Sequence, residues 1–531
     1  MYKKVQELTL KHFFTCSKPE QIKDFLGEIF ECINSRSELE ELYELICSCE
    51  MTDEVTKAVI SITEWICLSK KIPFLLRYIY QLYCQIDDKP MQNYYFELLN
   101  KRNDISEDEA KRVFEQNNLH LSSDAVFSKY NSEAISYTYL GEEKQYGIYS
   151  FSYEIGLNMT LIKTPYGAVI CDCGAKAGDF GVTTISADEI KSFLGAFDLT
   201  PDDVVAVVIS HAHLDHYGSI NSLVKAGIDK SRIYVEDATR YLIATVSSDD
   251  YLINDYSSVN SFYYPNKKVE IIPFSNGHIL GSVGYVIHFD NRNIVYTGDF
   301  CVHDQPIVEG LKVERLISLP CIKEDGVSCL ITETTYGSKN SVLTSEQAAK
   351  VIRHFVDIAV SNNYKVFVPG FAVGRSQEIA SALKGYDILI DGLAIAVTRV
   401  YEKMNEKIRI FDSTTDFASQ ETEDKLRNFD LHDVIIASSG MISENSTSYN
   451  YINEFLKSYK NVCIIKSGYI SSEAVGNTIL KKWQNEDNIM LDIPLSAHAS
   501  RNEIIELINN LDPDNVVMIH GDGIGFYETE Q

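Results

Sequence analysis

Five short apolar runs in this 531-residue chain stop in the same way. Ala168-Val169-Ile170-Cys171 ends at Asp172, with Gly174 just beyond. Val204 to Ile209 runs into His211-Ala212-His213-Leu214-Asp215-His216. Val269 to Pro273 leads to Asn276-Gly277-His278. Asn293-Ile294-Val295-Tyr296 ends at Thr297-Gly298-Asp299, and Val516-Val517-Met518-Ile519 ends at His520-Gly521-Asp522. Runs that are short, β-branched and bounded by polar residues have the pattern of buried strands. Each is followed by a residue type that can bind metal, with a glycine nearby where backbone must turn tightly or approach a neighbour. Open α/β sheets bind ligands at the carboxyl ends of their strands. The ordered set therefore points to an α/β fold that builds a site from its strand ends.

The hexapeptide His211 to His216 is the densest part of that set, with three of the chain's twelve histidines beside an aspartate. Neutral imidazole is a borderline-soft donor suited to zinc, and a carboxylate adds charge. His211 and His213 can point to one side of the turn while Asp215 and His216 point to the other, which suits two metals better than one. A lone histidine or aspartate in such a place is ordinarily a satisfied polar residue or a turn former. That reading does not extend to the whole cluster.

With His278, Asp299 and the upstream Asp172, the hexapeptide resembles the metallo-β-lactamase superfamily, and later segments resemble the β-CASP nucleases within it. Leu330-Ile-Thr-Glu333-Thr-Thr-Tyr-Gly337 is similar to the first β-CASP motif, with Glu333 as its acid. Pro494-Leu-Ser-Ala-His498 is similar to the second and Val517-Met-Ile-His520-Gly521 to the third. Val368 to Glu378, which contains Arg375, and Ser438-Ser439-Gly440-Met441 also match family signatures; Ser467-Gly468-Tyr469 does so less closely. The resemblance covers residues 125 to 531. It implies an αββα sandwich with the β-CASP α/β domain inserted as a cap; ahead of it, outside the resemblance, apolar stripes at helical spacing predict an all-helical N-terminal extension. The expected divisions are a helical accessory domain at 1–121, sandwich at 122–336, cap at 337–487 and sandwich again at 488–531.

The resemblance also implies roles. His211, His213 and His278 would hold one zinc, and Asp215, His216 and His520 the second. Asp299 would bridge both, and Asp172 would orient the histidine loop. Mn(II) would suit the same donors. Asp215, His498 and Glu333 would be catalytic, with His498 protonating the leaving group and Glu333 orienting it. Arg375, Ser439, Gly440 and Ser467 would contact substrate. The implied reaction is hydrolysis of RNA phosphodiester bonds by a hydroxide generated between the metals, giving a 3′-hydroxyl and a 5′-phosphate. His520 stands where the DNA-repair branch carries a valine. Glu333-Thr-Thr-Tyr-Gly and Phe371-Ala-Val-Gly-Arg resemble the branch of the pre-mRNA 3′-end cleavage nuclease and its prokaryotic relatives. Single-stranded RNA and endonucleolytic cutting are therefore expected. The alternatives are a hydrolase of the same fold acting on DNA or a small phosphodiester, and a catalytically silent scaffold subunit. Glu444-Asn445 and Glu473-Ala474 depart from the family pattern in loops expected to face substrate. The last helix usual after the third motif is expected to be short or absent.

Charge runs against easy nucleic-acid binding. The formal net charge is −28, whereas non-specific binders of phosphate backbones are normally basic. Weak non-specific affinity and steep salt dependence follow. A local basic channel could draw on Lys339, Arg375, Lys384, Arg399 and Lys466.

The remaining composition fits a globular enzyme of three to four domains, with 45% hydrophobic residues and no apolar run long enough to span a membrane. Met1 to Leu8 has no apolar stretch of the signal-peptide kind, so a cytoplasmic location is expected. The twelve cysteines lack zinc-knuckle spacing and read as buried free thiols. Before residue 121, Ile22, Phe25, Leu26, Ile29, Phe30 and Ile33 mark one helix face. Ser37-Glu-Leu-Glu40 reads as a capping box. Val55, Val59, Ile62 and Ile66 form a second stripe, and Pro73 precedes a third. About five helices with their own core are expected, available to a protein partner or a second copy.

Overall fold

In the computed structural model the described residues are 10–521 except 33–34, 118, 130–133, 153–154, 179–180, 248–261, 264–267, 340, 342, 406–414, 418–429, 469, 471–473 and 485–487. Ile33, Tyr469, Glu473 and Asp522 thus lie outside them, as do both chain ends.

Val204–Ile209 is buried at every position, as a parallel strand covered on both faces must be. It pairs in parallel with Gly167–Cys171 and Ile233–Val235. Thr160–Thr164, Glu142–Ser150 and Ile135–Tyr139 continue that sheet antiparallel. In a second sheet Asn515–Ile519 lies between Cys329–Glu333 and Val126–Lys129, all parallel. Arg292–Tyr296, Val283–Phe289, Glu270–Ser275 and Phe262–Tyr263 complete it.

Side chains alternate between faces along a strand, and here the alternation sorts residues into layers. Val169, Cys171, Ala206 and Val208 of the first sheet meet Tyr285, Ile287, Ile294, Ile331 and Val517 of the second. Their neighbours Ile170, Val207 and Ile209 face outward onto Ile190, Leu194, Ile220 and Leu223, from helices Ala187–Gly195 and Ile220–Ala226. Beyond the second sheet, Val286, Val295, Leu330 and Met518 pack on Ile504, Ile505 and Ile508 of helix Arg501–Leu511. The result is the αββα sandwich.

The chain leaves the sandwich after Glu333 and builds an all-parallel third sheet. Its order is Thr415–Phe417, Ile388–Asp391, Val434–Ala437, Lys365–Pro369, Val462–Lys466, Ile489–Asp492. Ser345–Ser361, Arg375–Ala382 and Ala394–Met404 cover one face; Thr447–Ser458 and Val475–Gln484 cover the other. Ile489–Asp492 pairs with Val462–Lys466, so the last strand of this cap lies past residue 487, in the stretch the sequence pattern assigned to the sandwich. The polar stretch before it mimics a domain boundary.

The N-terminal helices are Pro19–Cys32, Arg36–Cys47, Asp53–Ser69, Leu76–Gln85, Lys89–Lys101 and Glu107–Asn117, with residues 10–16 also helical. That exceeds the expected five. Glu107–Asn117 buries only Ala110 and leaves almost no apolar stripe to read. The second helix starts earlier than Ser37: Ser35 is its cap, accepting from the Glu38 N–H. The apolar stripes do form a core within the extension, and one side of it is shared with the cap. The fully buried Glu64 carboxylate accepts from Tyr83 and Tyr95, each at 2.8 Å, and lies 2.9 Å from His354 Nε2 on the cap helix Ser345–Ser361. Tyr94 packs edge-on to Phe355, and Trp65 to Tyr364. Among the described residues no helix is long and apolar enough to cross a membrane.

Candidate metal centre

The five strand ends converge. His211 follows the fully buried strand Val204–Ile209 and its Nδ1 is anchored on Ser210 Oγ at 3.0 Å. His278 Nδ1 donates to the Ala497 carbonyl at 2.8 Å, and His213 Nε2 lies 3.4 Å from the Val373 carbonyl of the cap. Each ring is thus held by one nitrogen, and the other three nitrogens face one another. His213 Nδ1 is 3.0 Å from His211 Nε2 and 3.1 Å from His278 Nε2. Burial drives the imidazoles of His211 and His278 well below their ordinary range, and that of His213 below it, so all three are neutral. Three converging lone pairs repel unless a cation sits between them, and neutral imidazole is the form that binds metal.

A second group lies alongside. His520 Nε2 is 3.1 Å from Asp215 Oδ2, and His216 Nε2 is 3.7 Å from the same oxygen. Asp299 stands between the groups: its Oδ2 is 3.1 Å from His216 Nε2, 3.6 Å from His211 Nε2 and 3.8 Å from His278 Nε2, while Oδ1 is 3.4 Å from His520 Nδ1. That Oδ1 is buried and has no hydrogen-bond partner. An orphaned buried carboxylate oxygen is costly, and a divalent ion would satisfy it. His211, His213, His278 and Asp299 could hold one ion; Asp215, His216 and His520 could hold another. The donor set therefore fits divalent metal of the zinc kind.

Asp172 supports this arrangement from behind. Its Oδ1 accepts from the Ser210 N–H at 2.7 Å. Its Oδ2 accepts from Ser210 Oγ at 2.8 Å, Tyr296 OH at 2.6 Å and His216 Nδ1 at 2.7 Å. Fixing Nδ1 leaves His216 Nε2 turned to the site. Gly174 has to be glycine, because a Cβ there would lie 1.5 Å from the Asp215 carbonyl oxygen. Asp172 itself has φ +60, a conformation that asparagine tolerates as well as aspartate. Asp172→Asn should therefore keep the fold while lowering metal affinity about 10–100-fold. Competition with a chromophoric chelator measures this, and unchanged affinity would reduce Asp172 to core filler.

His498 lies over the same centre. Its Nδ1 is 2.9 Å from Glu333 Oε2 and 3.8 Å from Asp299 Oδ2. Glu333, fully buried at the end of strand Cys329–Glu333, is itself held by the Phe300 N–H at 2.8 Å. Burial pushes the His498 imidazole down, but Glu333 and Asp299 outweigh it and lift the group to about 9. Thr335 Oγ1 donates to Glu333 and stands 2.9 Å from His520 Nδ1, linking the two.

The sequence reading missed Ser210, Thr335, Tyr296 and Asn158. Thr335 lies within the first β-CASP motif and Tyr296 ends a quoted strand, though neither is given a role there; Ser210 precedes the hexapeptide. Asn158, whose Nδ2 is 3.2 Å from His216 Nε2, stands in a segment with no motif at all. Of the residues expected at substrate, Arg375 opens helix Arg375–Ala382 with Nε and Nη1 buried and unpartnered, and the buried Ser467 Oγ has no partner. Ser439 and Gly440 follow strand Val434–Ala437, and a Cβ on Gly440 would press on the Phe371 nitrogen at 2.8 Å. Among the expected basic residues, Lys466 is 3.4 Å from Asp492 and Lys339 lies over the Tyr336 ring.

Residues 156–252 match the family model of the metallo-beta-lactamase superfamily, and residues 490–523 match that of a Zn-dependent metallo-hydrolase RNA specificity domain. The transcription termination factor FttA of Methanocaldococcus jannaschii is 26% identical over 435 residues, covering 70% of this chain and 65% of its own length. Probable RNase MJ4 of the same organism is 25% identical over 416 residues, covering 70% of this chain and 91% of its own length. Endoribonuclease ysh1 of Schizosaccharomyces pombe is 24% identical over 424 residues, covering 70% of this chain and 53% of its own length. The chain thus spans less than two thirds of the termination factor and of the endoribonuclease. With a parallel cap inserted into the sandwich, the chain carries a metallo-β-lactamase domain and an RNA specificity domain, and over 70% of its length it is similar to β-CASP proteins.

Proposed function

We propose that this chain is a two-zinc ribonuclease that cuts within single-stranded RNA. One observation carries the reading: Asp299, with an unpartnered oxygen, stands between two groups of imidazoles, and His498 leans over it on the buried Glu333. In this reading His211, His213 and His278 hold one ion, Asp215, His216 and His520 the other, and Asp299 touches both. Manganese suits the same donors. A bound pair of divalent ions supplies a nucleophile at neutral pH and neutralises charge on a phosphodiester.

The chain's own groups do the rest. Glu333 accepts from His498 Nδ1 and keeps the ring charged at neutral pH, so Nε2 can give its proton to the departing 3′-oxygen. Arg375, Ser467, Ser439 and Gly440 take the phosphates on either side. RNA rather than DNA is favoured because the segment matching an RNA specificity domain contains both His498 and His520, and because two of the relatives are named ribonucleases. A cytoplasmic location, and a protein partner or second copy on the outer faces of the helical extension, belong to the same reading.

The test uses a circular RNA and its DNA counterpart, which only an internal cut can open. Opening of the RNA alone, with 5′-phosphate ends, is expected. It should stop when a chelator removes the metal, return with zinc or manganese, and fall steeply with added salt. Opened DNA, or intact RNA at full zinc loading, would remove the ribonuclease reading.

A further inference from the structure

Two residues past Asp299, a second cluster of donor atoms has no part in the reaction above. Cys301 Sγ lies 3.1 Å from His303 Nε2 and 3.4 Å from Nδ1. His303 Nδ1 lies 2.6 Å from Glu503 Oε1, on the helix Arg501–Leu511. These thiol, imidazole and carboxylate atoms lie within 4.8 Å of one another, and Cys301 is fully buried.

The sulfur lies close to both ring nitrogens, and its other contact is the His303 carbonyl at 3.4 Å. One detail favours a cation here over a plain hydrogen-bonded triad: the way Glu503 divides its work. Oε2 takes both the N–H and the hydroxyl of Ser500 in a capping box, whereas Oε1 faces only His303. The helix cap can therefore persist whatever binds at Oε1.

We propose that Cys301, His303 and Glu503 form a third metal site, separate from the catalytic pair, for a thiophilic divalent ion such as zinc. A sulfur, a nitrogen and an oxygen donor with one position left for water is an ordinary zinc environment. Binding releases the thiol proton and replaces the Nδ1 proton that His303 now gives to Glu503. The Cys301 side chain is too enclosed to meet a substrate, so a nucleophilic role is not the reading. The ion would staple the loop after Asp299 to the helix that follows His498, fastening two pieces of the catalytic centre from outside it.

The test exploits sulfur. Every residue proposed for the catalytic pair is a nitrogen or oxygen donor, so cobalt(II) there gives no thiolate charge-transfer band. The full chain is stripped of metal and titrated with cobalt(II) in the near ultraviolet. A thiolate band saturating at one equivalent is expected, with three ions per chain in all. Cys301→Ser should lose the band and one ion while keeping two. Glu503→Gln, which retains the shape and the cap, should keep the band but weaken that ion about 10-fold or more. Two bound ions with no band at saturating cobalt would overturn the third site and leave the catalytic reading intact. A band that survives Cys301→Ser would overturn it as well. A band without the other two ions would instead sink the catalytic reading.

Discussion

Replacing Asp299 by alanine is expected to abolish RNA cleavage and lower zinc content together. This carboxylate is within 3.8 Å of His211, His216, His278 and His498 and within 3.4 Å of His520. Alanine would leave two half-sites and nothing between them. A metal centre supplies several kcal/mol of transition-state stabilisation, so the rate should fall by roughly 10³-fold or more. The strand before it, Arg292–Tyr296, keeps its pairing on both sides, so circular dichroism should be unchanged. Asp299→Ala with full zinc and a normal rate would mean that the histidines bind one ion without a bridge.

His498→Ala should behave differently, losing about 10²–10⁴-fold in kcat with zinc content intact. The pH dependence separates a proton donor from a structural histidine. The folded-state value of His498 is raised, to about 9, by Glu333 and Asp299 against the opposing effect of burial. The charged, donating form is therefore present at neutral pH and is lost as pH rises through that value, giving an alkaline limb to the rate. Bound cations push the same imidazole downward, so the limb in the loaded enzyme lies below about 9. Glu333→Gln removes the nearer negative charge and should move the limb further down, so that activity at mildly alkaline pH falls more than at neutral pH. A limb unmoved by Glu333→Gln would assign the proton to another group.

Much of this site is legible in the chain because strand ends are periodic objects. A buried β-branched run followed by His211, Asp172 or Asp299 announces both the strand and where it points. What supports those ligands is harder to read. Asn158 and Ser210 act through hydrogen bonds to Asp215, His216, Asp172 and His211 and carry no spacing that a strand or helix would impose. Segment boundaries fail for a related reason. Ser35 rather than Ser37 caps its helix, since either serine satisfies the local pattern and only the packed helix decides. Ile489–Asp492 joins the cap through backbone pairing with Val462–Lys466, a long-range choice that its own composition does not display. The helical extension shows its stripes clearly, yet the pairing of buried Glu64 with His354, 290 residues away, follows from no local rule.

The cap and the sandwich exchange the chain at two places, and each crossing ends on one member of the acid pair. Glu333 is the last residue of its strand before the chain departs, and His498 stands just after its return from Ile489–Asp492. Ser345 at the start of the first cap helix even bonds the Ser496 carbonyl at 2.5 Å, tying departure to return. The seven residues proposed to face metal, His211, His213, Asp215, His216, His278, Asp299 and His520, all sit on the sandwich. In the proposed reaction the groups that move protons thus stand where the chain passes between the two layers, and the cap reaches the proposed metal ligands through the Val373 carbonyl at His213. A molecule that tilts the cap would then act on leaving-group protonation and on the His213 ring together, slowing turnover.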